Sequence, residues 1–178
     1  MRQTTARVVV VAAVLAVVSG GPAKAAEPYT FTVSLLGGLG GSLESEADTG
    51  LANSGWQLGL GMVTEARTHL VLRLGAVDFD EGRVDGLADA ELSYATVGGE
   101  YRALRSWYDS GIFLGLGAYD LDGVGGGGDT AIGITLGATG DFQIRGPWSL
   151  VVELSGHWVD FDETQLFGFG HVGVALHF

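Results

Sequence analysis

From about residue 29 to the end of the chain, apolar side chains recur at every second position, and no apolar run there is long enough for a helix to cross a bilayer. A two-residue period places alternate side chains on opposite faces of an extended strand, so the pattern demands strands with one apolar face each. Tyr29, Phe31, Val33, Leu35 and Leu39 share a face against Thr30, Thr32, Ser34 and Gly38. Trp56, Leu58, Leu60 and Met62 oppose Gln57, Gly59 and Gly61, and Leu70, Leu72, Leu74 and Ala76 oppose Val71, Arg73 and Gly75. The same rule covers Ile112 to Leu116, Ile132 to Phe142, Leu150 to Trp158 and Val172 to Phe178. In one further segment Leu92 and Tyr94 predict one face while Val97, Gly99 and Tyr101 predict the other. A bulge near Ala95 is expected to reconcile them. The sum is eight strands. Helices are disfavoured by 31 glycines, each costing about 1 kcal/mol against alanine in a helix interior.

The connections alternate in length. Long acidic links are expected at Gly41 to Ser54, Asp78 to Ala90 and Asp120 to Thr130, with a shorter one at Asp160 to Thr164. Short turns are expected at Glu65 to Arg67, Leu104 to Ser106 and Arg145 to Pro147. Short turns on one side and long loops on the other are the asymmetry of bacterial transmembrane barrels. With the first strand running outward, Trp107, Trp148 and Tyr101 fall near the inner rim and Trp56 and Trp158 near the outer rim, as aromatic girdles should. A soluble lipocalin-like barrel would also alternate, but it would turn its apolar face inward around a ligand cavity. The second face here is mostly Gly, Thr and Ser, too sparsely charged for a water-facing exterior.

Residues 1 to 25 read as a cleaved signal peptide: Arg2 and Arg7, an apolar run from Val8 to Val18, then Ala23-Lys24-Ala25. A membrane anchor would need roughly 20 apolar residues, and Pro22 and Lys24 interrupt this run. The predicted mature barrel, 26 to 178, keeps six basic residues against 21 acidic ones, a net charge of −15 with no lysine. Such a chain has no cationic surface with which to bind nucleic acid. The absence of cysteine excludes a disulfide framework and a zinc–thiolate site.

Two stretches carry a resemblance. Gly168 to Phe178, with Val174, Leu176 and a terminal Phe178, is similar to the last strand of bacterial outer-membrane proteins, where such a pattern resembles the signal read by the barrel-assembly machinery. Val97-Gly98-Gly99-Glu100-Tyr101-Arg102 is similar to the fourth strand of small OmpA/OmpX-type barrels. The resemblance implies an all-β, eight-stranded antiparallel up-and-down transmembrane barrel in the outer membrane, in contact with lipid and lipopolysaccharide, and the chain is expected to be monomeric or weakly associating. Unlike OmpA, it is expected to carry no periplasmic peptidoglycan-binding domain after the last strand.

Inward charges of a barrel this narrow must pair. Arg73 and Glu153 are predicted at similar depth, with Glu100, Arg102 and Asp141 lower, forming lumen ion pairs that close the barrel as a polar plug. Glu153, Ser155 and His157 line one face of the seventh strand and supply the residue types of a hydrolase. Residues two apart stand roughly 7 Å apart along a strand, too far for a direct Ser–His hydrogen bond without rotamer help. No His-X-Ser-Asn stretch like that of lipid A deacylases is present, and no catalytic residues or cofactor are assigned. Fourteen acidic residues lie in the long links, including Asp78, Asp80, Glu81, Asp85, Asp120, Asp122 and Asp129. They form a solvated rim, with Ca²⁺ or Mg²⁺ binding as the alternative. Gly125 to Gly128 reads as a loop tip rather than a phosphate cradle. The expected function is envelope structure or surface interaction through the acidic loops. A lipid A-modifying barrel enzyme and a narrow-channel porin are the alternatives.

Overall fold

Strands with one apolar face and one small or polar face can satisfy every backbone group without helices only by pairing side by side until the sheet closes on itself. A computed structural model shows that closure. It describes residues 29–43, 53–65, 67–79, 90–104, 108–122, 129–161 and 164–178. The expected signal peptide 1–25, Trp107, Gly125 to Gly128 and most of the expected long acidic links, including Asp80, Glu81 and Asp85, lie outside the described residues.

The strands are β1 (Phe31–Ser42), β2 (Asn53–Glu65), β3 (Thr68–Asp78), β4 (Glu91–Leu104), β5 (Tyr108–Asp122), β6 (Asp129–Arg145), β7 (Trp148–Asp160) and β8 (Thr164–His177). Each pairs antiparallel with its sequence neighbours, and β1 also pairs with β8 to close the barrel. The seam extends past the last strand, where the Phe178 amide donates to the Phe31 carbonyl at 2.9 Å and the Thr30 amide donates to the Phe178 carbonyl at 2.6 Å. All eight strands reach or exceed the 9 to 11 residues or so that a tilted membrane span requires.

No bulge interrupts β4 near Ala95. Its register with both β3 and β5 runs unbroken from Glu91 to Tyr101. Leu92 and Tyr94 therefore point inward in phase with Thr96 and Glu100, and all four are buried. The expectation failed because it equated apolar with outward, whereas the outer half of the interior is itself apolar. Register shifts occur instead at Val63/Glu65 and Gln143/Arg145, beside the inner turns. The second turn holds Gly146 at φ 56°, a conformation that costs a side-chain-bearing residue about 1–2 kcal/mol. Gly98, inward on β4, is required by close approach: a Cβ there would collide with the Leu114 carbonyl and the Gly115 Cα of β5.

The exterior is apolar on every strand. Leu35, Leu60, Leu72, Val97, Leu114, Ile132, Leu154 and Val174, one from each strand in order, are all exposed, Ile132 to 76%. Apolar surface that circles a closed barrel exceeds the isolated patches of a soluble monomer and matches the hydrocarbon-facing band of a membrane barrel. The lipocalin-like alternative fails on both faces: the outer face is apolar on every strand, and among the described residues the inward face is filled by buried polar, charged and aromatic side chains.

Candidate functional site

The interior of an eight-stranded barrel is just wide enough for side chains to fill, and here it is filled in two tiers of opposite character. The inner tier is ionic. Arg73 on β3 donates from Nε to Glu153 on β7 at 2.9 Å and from Nη2 to Glu100 on β4 at 3.0 Å. Its guanidinium carbon lies 3.6 Å from the centroid of the Phe113 ring on β5, a cation–π contact in a site screened from water. Glu100 also accepts from Arg102 Nε at 2.7 Å and from Thr139 Oγ1 at 3.0 Å. Arg102 Nη1 continues to Asp141 at 3.2 Å, and Asp141 lies 3.3 Å from His177 Nε2. The five lumen charges singled out in the sequence thus belong to one connected network spanning β3, β4, β6 and β7. Alternation explains the meeting: each occupies an inward position, and strand pairing brings those positions to neighbouring depths.

The network is extended by residues that sequence reasoning did not select. Gln57 on β2 donates to Glu153 Oε1 at 2.9 Å and accepts from the Tyr94 hydroxyl at 2.9 Å. Tyr94 is the hinge between tiers, because its ring stacks on Phe169 with centroids 5.7 Å apart and planes at 7°. Above it, Phe79, Leu92, Tyr119, Val159, Phe161, Phe167 and Phe169 form one buried cluster. The lumen is therefore not polar throughout: its outer half is closed by aromatic rings. The sequence signal was present in Phe167 and Phe169, which share the inward phase of His171 and His177.

Ser155 and His157 meet through the imidazole rotamer. The hydroxyl and the His157 Nε2 are 2.9 Å apart, because the imidazole reaches back along the strand toward its neighbour. The other ring nitrogen, Nδ1, is 2.8 Å from the Tyr119 hydroxyl. Glu153 takes no part in this group, being held by Arg73 and Gln57. The three residues of the hydrolase-like series are thus split between two separate networks. His157 is buried among the aromatic rings, opposite Phe167 in register and beside Phe169 at 4.7 Å between centroids.

At the outer ends of the strands Asp78, Glu91, Asp120, Asp122, Asp129 and Asp160 are all exposed. Among the described residues, no group of three or more His, Asp or Glu side chains is arranged to hold a metal ion. Trp56 and Trp158 are exposed near the outer strand ends, and Tyr101 and Trp148 near the inner ones. Val174 and Phe178 are exposed on the outer face of β8, with Leu176 partly so.

No family model and no curated protein matches the chain. Solved structures do match in fold. The crystal structure of Neisserial surface protein A aligns with a TM-score of 0.62 at 13% identity, over 85% of this chain and 98% of that one. The N-terminal barrel domain of Pseudomonas aeruginosa OprF aligns with a TM-score of 0.59 at 10% identity, over 83% and 97%. A major outer membrane protein from Thermus thermophilus aligns with a TM-score of 0.59 at 10% identity, over 85% and 100%. With its closed antiparallel barrel and continuous apolar exterior, the chain has the fold of the small eight-stranded outer-membrane β-barrels.

Proposed function

We propose that this protein is a non-conducting barrel that serves the outer envelope as a structural element and through surface contacts made at its acidic outer rim. The observation that carries this reading is the double closure of the lumen. An ion or solute would have to part the Arg73–Glu100–Glu153 bridge and then displace the stacked Tyr94, Phe169 and Phe167 rings. Each carboxylate of the inner tier is already bonded at both oxygens or to two partners, so the network has no free charge to hand to a passing ion. A structural role in lipid also suits a wall whose every strand is apolar outside.

The reading excludes catalysis at Ser155. Its hydroxyl sits at an inward position of β7 opposite Phe169, bonded to His157, and the acid two residues before it in the strand is committed to Arg73. The terminal Phe178 with Leu176 and Val174 serves assembly, and the folded chain acts as a monomer. The test is single-channel recording in a planar bilayer with the purified protein. The expected result is no stepwise current up to the voltage at which the bilayer itself breaks. Reproducible unitary steps from a properly folded sample would overturn the closed-lumen reading and favour the narrow channel.

A further inference from the structure

One part of the lipid-facing surface is concave. A groove of about 370 Å³ lies on the outer half of the barrel across β2 to β6. It arises from side-chain size in successive rows of cross-strand register. In the row nearest the periplasm, Leu60, Leu72, Val97, Leu116 and Ile134 stand side by side, all exposed. In the next row outward Ala95 and Ala118 replace the large residues of β4 and β5 beside Leu74 of β3, and in the row after it Ala76 and Ser93 stand on β3 and β4; these four small residues form the floor. Trp56 walls one flank, at 51% exposure, and Glu91 and Asp120 stand at the outer end. Asp120 is oriented by the Thr130 hydroxyl, which donates to its Oδ1 at 2.9 Å.

We propose that this groove seats an acyl chain of one membrane phospholipid whose head group carries an ammonium. The occupant follows from the groove's setting. It is continuous with the apolar band, so the medium that touches it is hydrocarbon, and an unfilled dip there forfeits dispersion contacts on one side. Its volume falls within the roughly 300–1,000 Å³ of small-ligand sites. The head-group class follows from charge: the polar groups at the mouth are carboxylates and a hydroxyl, with no basic residue among the lining side chains. An anionic head would be repelled there, whereas an ammonium would pair with Asp120 or Glu91. The inference rests on the membrane-spanning reading, which the first control below tests by itself.

The experiment is native mass spectrometry of the full chain released from vesicles of equimolar phosphatidylethanolamine and phosphatidylglycerol with matched acyl chains. Wild type should retain one phosphatidylethanolamine in about two- to fivefold preference over phosphatidylglycerol, the selectivity of one partly exposed ion pair. Filling the floor with A76L/A118L should abolish retention. E91Q/D120N should still retain a lipid but without preference between the two heads. Equal retention by the filled variant, no retained lipid on wild type, or an unchanged preference in E91Q/D120N would each overturn the proposal. So would a wild-type dimer that A76L/A118L converts to monomer, since the groove would then be a seam between two copies. Heat-modifiable migration on gels is checked first. Its absence in wild type would overturn the membrane reading itself, and if only A76L/A118L lacks it, A95L is read in its place.

Discussion

Replacing Arg73 with methionine removes the one cation that touches both Glu100 and Glu153, while keeping most of the side-chain volume over Phe113. The two carboxylates do not suffer equally. Glu100 retains Arg102 at 2.7 Å and Thr139 at 3.0 Å. Glu153 retains only the neutral amide of Gln57 at 2.9 Å, although its side chain is 3% exposed. Breaking a buried ion pair from one side costs about 3–5 kcal/mol, because the surviving charge is left uncompensated. Nearly all of that cost should therefore reside at Glu153. Removing the stranded charge in R73M/E153Q should recover about half or more of the loss, since a neutral amide of the same shape can still pair with Gln57. The companion R73M/E100Q should recover little and should weaken the hold on Arg102. The measurement is urea unfolding of barrels folded into phospholipid vesicles, followed by tryptophan fluorescence. If R73M lies within about 0.5 kcal/mol of wild type, or if E100Q rescues as well as E153Q, the reasoning that locates the cost at Glu153 is refuted.

Two further outcomes follow from the backbone and the seam. G98A should lower stability by about 1–3 kcal/mol or prevent folding, because its Cβ meets the backbone of β5; the adjacent G99A, with nothing within 4 Å of its Cβ, should be near neutral in the same urea assay, and equal effects would rule out close approach as the cause. F178A keeps the backbone bonds to Thr30 and Phe31 that close the barrel, so it should refold normally in vesicles yet accumulate less in the outer membrane of cells; normal accumulation would remove Phe178 from the assembly signal.

Much of the fold was legible because alternation and loop asymmetry are properties of neighbouring residues. Strand pairing then inherits its register from the turns, and the three short turns after β2, β4 and β6 fall where the sequence puts them. The five inward charges were legible for the same reason: a charge on the non-apolar face of a lipid-embedded strand has nowhere else to point. The aromatic tier was not. Leu92, Tyr94, Phe167 and Phe169 are apolar residues on the inward face, and a rule that assigns apolar to lipid misplaces them or overlooks them. The bulge expected at Ala95 was the consequence, an irregularity invoked to rescue a face assignment that the unbroken register makes unnecessary. Whether Ser155 and His157 bond is decided by the rotamer, since strand spacing gives the distance between Cβ atoms and says little about how far an imidazole reaches. Gln57 was visible as an inward polar residue, but its tie to both Glu153 and Tyr94 depends on three strands that are far apart in sequence.

The two tiers solve different problems set by the same narrow tube. Near mid-barrel, inward positions face only one another, so charged side chains there must pair internally, and a network in which each charge touches at least two partners does so. Such a network specifies register, because a one-residue slip of any strand would turn its charge out into hydrocarbon. Toward the outer end the strands lead into long acidic links, and a second set of ionic pairs there would compete with the rim carboxylates for the few arginines. Only Arg73 and Arg102 point into the described lumen, and the inner tier engages both. With no lysine anywhere after Lys24, cations are too scarce to fill the outer half of the tube with ion pairs. Aromatic rings fill it without needing any, and the described carboxylates at the outer strand ends, Asp78, Glu91, Asp120 and Asp129 among them, stay exposed.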